Sequence, residues 1–319
     1  MPPKPVKVPE HCIQEITTLA TASLTIGPVL FNWSPDEWRD FYARIADEAP
    51  AERVCVGEVV CSKRLPFVAD MLGDVVERLQ NGGKQVILSS LALPTLARER
   101  NQAEELLAIP GVMVEANDVS ALPPLAGHPH AIGPLINVYN EGTLSFLAKN
   151  GATRICLPPE LPRTSIAAIA GGVPEVAVEV WAFGRVPLAI SARCYHARVH
   201  NLHKDSCQFV CGQDADGLAV ETLDGRDFLA INGLQTLSHT CCNLSGEMAG
   251  LVADGVEGFR LSPHACDMVA VTQHYRDMLD GRMSADEAST TLAELVKFAP
   301  CSTGFVHAEP GWQLVDPEG

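Results

Sequence analysis

Residues 191–211 read SARCYHARVHNLHKDSCQFVC and gather Cys194, Cys207 and Cys211, three histidines and three basic side chains into one short segment. With Cys61 in GEVVCSKR they form a candidate set of four thiolates drawn from two distant parts of the chain. Four thiolates can hold a tetrahedral zinc ion or a 4Fe-4S cluster. Structural zinc favours closely paired cysteines of the CxxC type. Here twelve residues separate Cys194 from Cys207 and three separate Cys207 from Cys211, an irregular spacing that suits a cluster better. A Cys/His nucleophilic site is the other chemistry these residues can offer, with His196, His200 or His203 as base. No Asn or Asp stands at a recognisable spacing to orient that base.

The remaining cysteines sort by position. Cys55 and Cys156 fall inside apolar runs and read as core residues, in keeping with the strong tendency of cysteine to be buried. Cys12 and Cys266 have no partner in view, whereas adjacent Cys241 and Cys242, and Cys301 in CSTGF, could compete as ligands.

These side chains need a scaffold, and the bulk composition supplies one. A chain of 319 residues that is 47% hydrophobic can bury a substantial core. Its net charge of −16 repels phosphate backbones and anionic lipid surfaces, which sets aside nucleic acid and membrane-surface partners. The first residues, MPPKPVKVPEHC, lack the apolar region of a secretory signal, and no apolar run is long enough to span a bilayer. The expected compartment is the cytoplasm, where eleven cysteines do not make a disulfide framework.

Eight short apolar runs alternate with helical patterns: residues 23–31, 53–60, 85–90, 112–117, 131–140, 153–160, 175–183 and 258–263. Amphipathic stretches lie between them, such as SPDEWRDFYARIADE, in which Ser34 is placed to cap a helix with Trp38, Phe41 and Ile45 on one face. Near-continuous apolar strands joined by helical crossovers predict a mostly parallel sheet. Eight βα units predict an α/β fold of (β/α)8 TIM-barrel-like form, with a doubly wound open sheet as the alternative. Residues 1–22 read as a lead-in to one domain over 23–319, and residues 281–298 as a capped C-terminal helix. The regularity fails over about 190–255, where the crossover after the seventh strand expands into an insertion that the Cys194 segment opens. In such folds ligand-binding residues gather at the C-terminal ends of strands, and Cys61, one residue past the second predicted strand, and Cys194, after the seventh, fit that rule. Glu58, Lys63, Arg64, Asn140 and Glu160 occupy similar positions, and an ion pair between Glu58 and Arg64 is expected.

The motifs GEVVCSKR, EVWAFGRVPLAISARC, KDSCQFVC, NGLQTLS and FRLSP, in this order, resemble the collagenase-like peptidase family of the U class. Within it they are most similar to the branch that serves oxygen-independent ubiquinone biosynthesis. The resemblance covers about residues 24–313. It implies a 4Fe-4S cluster on Cys61, Cys194, Cys207 and Cys211, and hydroxylation of a ubiquinone precursor by a heterodimer with a UbiU-like sister subunit. It also implies a UbiT-like lipid carrier in the same pathway and prephenate as the source of oxygen. Arg193, Arg198 and Lys204 are placed to offset the charge of a four-thiolate cluster. The peptidase branch carries a motif of the form ExFVHGxLC near the seventh strand. Here Phe183 stands at its His and Pro187 at its cysteine, which weighs against proteolysis. An endopeptidase with incidental cysteines, or a zinc-stapled scaffold, are the alternative functions.

Overall fold

A computed structural model describes residues 22–315, so Cys12 and nearly all of the expected lead-in lie outside the described residues. Every expected barrel strand forms. The first seven are β1 (Ser23–Ile26), β2 (Arg53–Val56), β3 (Gln85–Ser89), β4 (Met113–Ala116), β5 (His130–Ile132), β6 (Ala152–Cys156) and β7 (Ala177–Ile190). After them come β8 (Leu218–Glu221), β9 (Asp227–Asn232), β10 (Gln235–Asn243), β11 (Gly258–Leu261) and the short β12 (Cys301–Ser302). β1 to β7 pair in sequence order, and β11 pairs parallel with both β7 and β1, which closes an eight-stranded parallel barrel. Closure decides for the (β/α)8 architecture over an open sheet.

Strand alternation sorts the side chains into two layers. Leu24, Ile26, Val54, Val56, Val86, Leu88, Val114 and Phe259 belong to the large apolar core shared with the surrounding helices. The alternate positions point inward, where Cys55, Ile87 and Ala131 form a small apolar cluster of their own. The rest of the interior is ionic. Fully buried Arg260 reaches Glu115 at 2.5 Å and Glu179 at 2.6 Å. Ser89 and Asn117 donate to Glu115, and Thr25 donates to Glu179. Burial works against the charge on Glu179, but Arg260 and Arg154 outweigh it and hold the carboxyl below its usual range.

The helix Pro35–Glu48 begins with the expected cap: Ser34 accepts from Glu37 N–H, and the Glu37 carboxylate accepts in return from Ser34 N–H. Its buried face is Trp38, Tyr42 and Ile45, and Phe41 is half-buried beside it. Over residues 65–83 and 93–109 the chain forms several short helical pieces, the longest being Leu72–Asn81 and Gln102–Leu107. Ser284 caps the C-terminal helix Ala285–Leu295. Among the described residues no helix is long and apolar enough to cross a membrane.

The insertion is more ordered than its sequence suggests. β7 runs on past the barrel and pairs antiparallel with β10, which pairs with β9, and β9 with β8. Gly184 marks the departure point: its φ is +109°, and an added Cβ would meet Ser262 Cβ at 2.7 Å. The three added strands are therefore an antiparallel arm grown on one barrel strand. Loops of the arm are tied back to the barrel, since Trp33 donates to Ala215 O at 3.0 Å, and Asp216 pairs with His264 at 2.9 Å and accepts from Ala265 N–H.

Candidate metal centre

Cys61, Cys194, Cys207 and Cys211 line one small enclosed cavity, together with Lys63, Arg64, Lys204, Phe209, Val210 and Gly233. Two loops build it. The first follows β2, which ends at Val56, so Cys61 lies five residues beyond the strand rather than one. A tight turn sets its position: Glu58 Oε1 accepts from Val60 N–H at 2.7 Å and from Cys61 N–H at 2.8 Å. Glu58 and Cys61 thus both lie in the loop and not on the strand.

The second loop supplies the other three cysteines. Cys194 caps the short helix Tyr195–Val199, with its Sγ accepting from Ala197 N–H at 3.4 Å. Between Cys207 and Cys211 the backbone turns through two left-handed residues, Gln208 (φ +50°) and Phe209 (φ +54°). Such conformations cost non-glycine residues of order 1 kcal/mol or more and persist only where the surroundings enforce them. Here the Phe209 ring packs edge-on against Phe67 at 4.6 Å, and Asn32 donates to its carbonyl at 3.4 Å. Lys63 joins the two loops by donating to Lys204 O and pairing with Asp205.

Arg64 is the buried cation of this cavity. Its Nη1 donates to Leu30 O at 2.8 Å and its Nη2 to Asn232 Oδ1 at 2.9 Å, while Nε is buried with no hydrogen-bond partner. Burial opposes its charge, but Glu58 and then the sulfurs of Cys211 and Cys61 raise its pKa. The expected ion pair is present, with Arg64 Nη1 and Glu58 Oε1 3.9 Å apart. Burial also pushes up the Cys61 and Cys194 thiols; Arg64 acts against this at Cys61, and the Ala197 N–H does so at Cys194. A ligand must bind these sulfurs as thiolates, so loading the site would release protons.

The donor set fits a four-iron cluster. Four cysteines converge, Phe209 and Val210 form an apolar wall, and a guanidinium with a free N–H lines the same cavity, where a thiolate-ligated cluster anion would need compensation. It fits a single zinc ion less well. Sulfurs bound to one zinc at about 2.3 Å lie under about 4 Å apart, but no three of these sulfurs lie within 4.8 Å of one another. Separate irons ligate cysteines that stand further apart.

Other sequence candidates lie elsewhere. Lys204 lines the cavity, whereas Arg193 and Arg198 are exposed along an outer groove beside it. Asn140 caps the helix Glu141–Lys149, and Glu160 accepts from Tyr139, so neither reaches the cysteines. Cys55 and Cys156 are fully buried in β2 and β6. Cys241 and Cys301 are register partners on β10 and β12, apart from the cavity, and burial raises the Cys242 and Cys266 thiols to about 12. His196 does have an orienting acid, missed in the sequence: its Nε2 is 2.9 Å from Asp214 Oδ2.

The family model for peptidase family U32 matches residues 34–316. The chain belongs to peptidase family U32. Among solved structures it is similar to thiamine phosphate pyrophosphorylase from Pyrococcus furiosus, with 11% identity, a TM-score of 0.40, and coverage of 83% of this chain and 99% of that one. In this U32 member the position of the peptidase-branch histidine holds Phe183, fully buried on β7 and packed edge-on against Tyr275 and His264.

Proposed function

We propose that this U32 chain is the UbiV-like, 4Fe-4S-carrying subunit of an oxygen-independent hydroxylase acting on a ubiquinone precursor. The observation that carries the reading is the convergence of Cys61, Cys194, Cys207 and Cys211 on one enclosed cavity beside buried Arg64. A cluster held there would supply one-electron chemistry, tuned by charge and by hydrogen bonds to its sulfurs. The chain's own contributions are plain: Ala197 N–H donates to Cys194 Sγ, Arg64 sets a cation beside Cys211 and Cys61, and Phe209 with Val210 limits water. In this reading the partner is a UbiU-like subunit, a UbiT-like carrier presents the lipid, and prephenate donates the oxygen. Our candidate for the isoprenoid tail is the groove to which Trp33, Phe41, Ile45, Met268 and Val269 give apolar surface and which Asp36, Glu37, Asp40 and Arg44 also line.

The family name also allows a collagenase-like endopeptidase. The two readings separate in one experiment. Anaerobic cells lacking the endogenous protein are supplied with the wild-type chain or with Cys194→Ala, alongside the sister subunit, and the hydroxylated precursor is quantified. Loss of product with Cys194→Ala supports the hydroxylase. Wild-type protein that restores no hydroxylation, yet cleaves collagen-like peptides equally well with Cys194→Ala, would replace it with the peptidase.

A further inference from the structure

His196, His200 and Asp214 bring three potential ligand atoms within 4.8 Å of one another, the one such set among the described residues. None of the three belongs to the cysteine set. His196 and His200 stand one helical turn apart with their rings stacked at 5.8 Å and only 8° between planes. Asp214 comes from the other side of the loop, three residues past Cys211, and its Oδ2 meets His196 Nε2 at 2.9 Å. His196 is fully buried and its Nδ1 has no hydrogen-bond partner, whereas His200 is exposed and Asp214 half-buried.

We propose that these residues form a second metal site, for a divalent first-row transition ion. Two imidazoles and one carboxylate with the remaining positions open are the donor set of mononuclear zinc and ferrous centres. Bonds of about 2.0 Å to nitrogen would draw the ligand atoms to roughly 3–3.5 Å apart. Buried His196 is the fixed member, and the two more exposed side chains close on it by rotamer change. His200's exposure leaves the open coordination positions facing solvent. The ion would tie the helix that follows Cys194 to the segment that follows Cys211, bracing both ends of the cysteine loop. The competing arrangement is a structural His196–Asp214 pair with His200 uninvolved.

Cobalt(II) tests the site without depending on the cysteine reading. The full-length chain, prepared without oxygen, is dialysed to equilibrium against Co²⁺ beside His200→Ala, Asp214→Asn and a Cys61→Ser, Cys207→Ser, Cys211→Ser variant. Bound metal is counted per chain and its absorption recorded. In the cysteine variant the expected result is about one Co²⁺ per chain with ligand-field bands and no thiolate-to-cobalt charge transfer. Adding His200→Ala or Asp214→Asn to that variant weakens binding more than about tenfold, since even outer-shell changes cost that much. No bound Co²⁺, or Co²⁺ bound with thiolate charge transfer and unaffected by His200→Ala, would overturn the site. Failure there leaves the cluster reading intact, because the cysteine variant is scored separately.

Discussion

Glu58 and Arg64 are both buried, 3.9 Å apart, and each holds part of the cysteine loop. Glu58 fixes the Cys61 turn through two backbone N–H groups, and Arg64 faces Cys61 and Cys211 while anchoring Leu30 and Asn232. Arg64→Met strands a buried carboxylate and should cost about 3 kcal/mol in denaturant unfolding. The double variant Arg64→Met, Glu58→Gln should recover part of that stability. In cluster-loaded protein Arg64→Met should show a more negative midpoint potential than wild type, since a neighbouring cation is gone, and the double variant, which also loses the Glu58 anion, a smaller shift. An unchanged potential in Arg64→Met would remove Arg64 from any electrostatic role.

Gly233 sits between β9 and β10 with φ +62°, and a Cβ there would meet Arg64 Nη2 at 2.7 Å. Gly233→Ala should therefore destabilise by about 1–2 kcal/mol from the backbone alone, with further loss from displacing Arg64. The check is chemical denaturation beside Gly225→Ala, a positive-φ turn with no atom near its would-be Cβ. Equal effects at the two glycines would show that the Arg64 contact is immaterial.

The interior ion network makes acid sensitivity predictable in sign. Arg260 and Arg154, overcoming burial, hold Glu179 below its ordinary value of 4.5. A carboxyl depressed in the folded state contributes stability above its unfolded pKa and loses it as pH falls through the folded value. Melting temperature should thus fall as pH drops below about 4.5. Arg260→Met, which removes the cation paired with Glu115 and Glu179, should cost about 3–5 kcal/mol at neutral pH. A variant as stable as wild type would contradict this description of the barrel interior.

Thiol accessibility divides the cysteines. In metal-free protein at neutral pH, iodoacetamide should modify half-buried Cys207 before Cys55, Cys156, Cys241 or Cys242, which are buried. Burial also raises the Cys55, Cys156, Cys241 and Cys242 thiols. Peptide mass mapping over time reads the order. Early modification of Cys241 or Cys242 would contradict their placement.

Most of the barrel was legible because its strands are apolar runs with helical stretches between them. The ionic interior also left a trace, one charged residue at an inward position in VEA, VEV and FRL. The antiparallel arm was missed although Asp224-Gly225 and Asn232-Gly233 are hairpin signals; Pro187 and the polar composition of 212–227 masked the continuation of β7. The four cysteines were readable from type and spacing together with the resemblance. Arg64 as their cation was not, because its position depends on Leu30 and Asn232, residues 34 and 168 positions away. Asp214, 18 positions from His196, stands at no spacing that marks it as the partner of that ring.

Iron and acid-labile sulfide per chain, measured on full-length protein purified without oxygen beside Cys207→Ala, Cys211→Ala, decide the central point. About four of each in wild type, lost in the double variant, is the expected result. A folded wild-type chain without iron, or one that retains its iron when both cysteines are removed, would contradict the assignment of this cavity to a cluster.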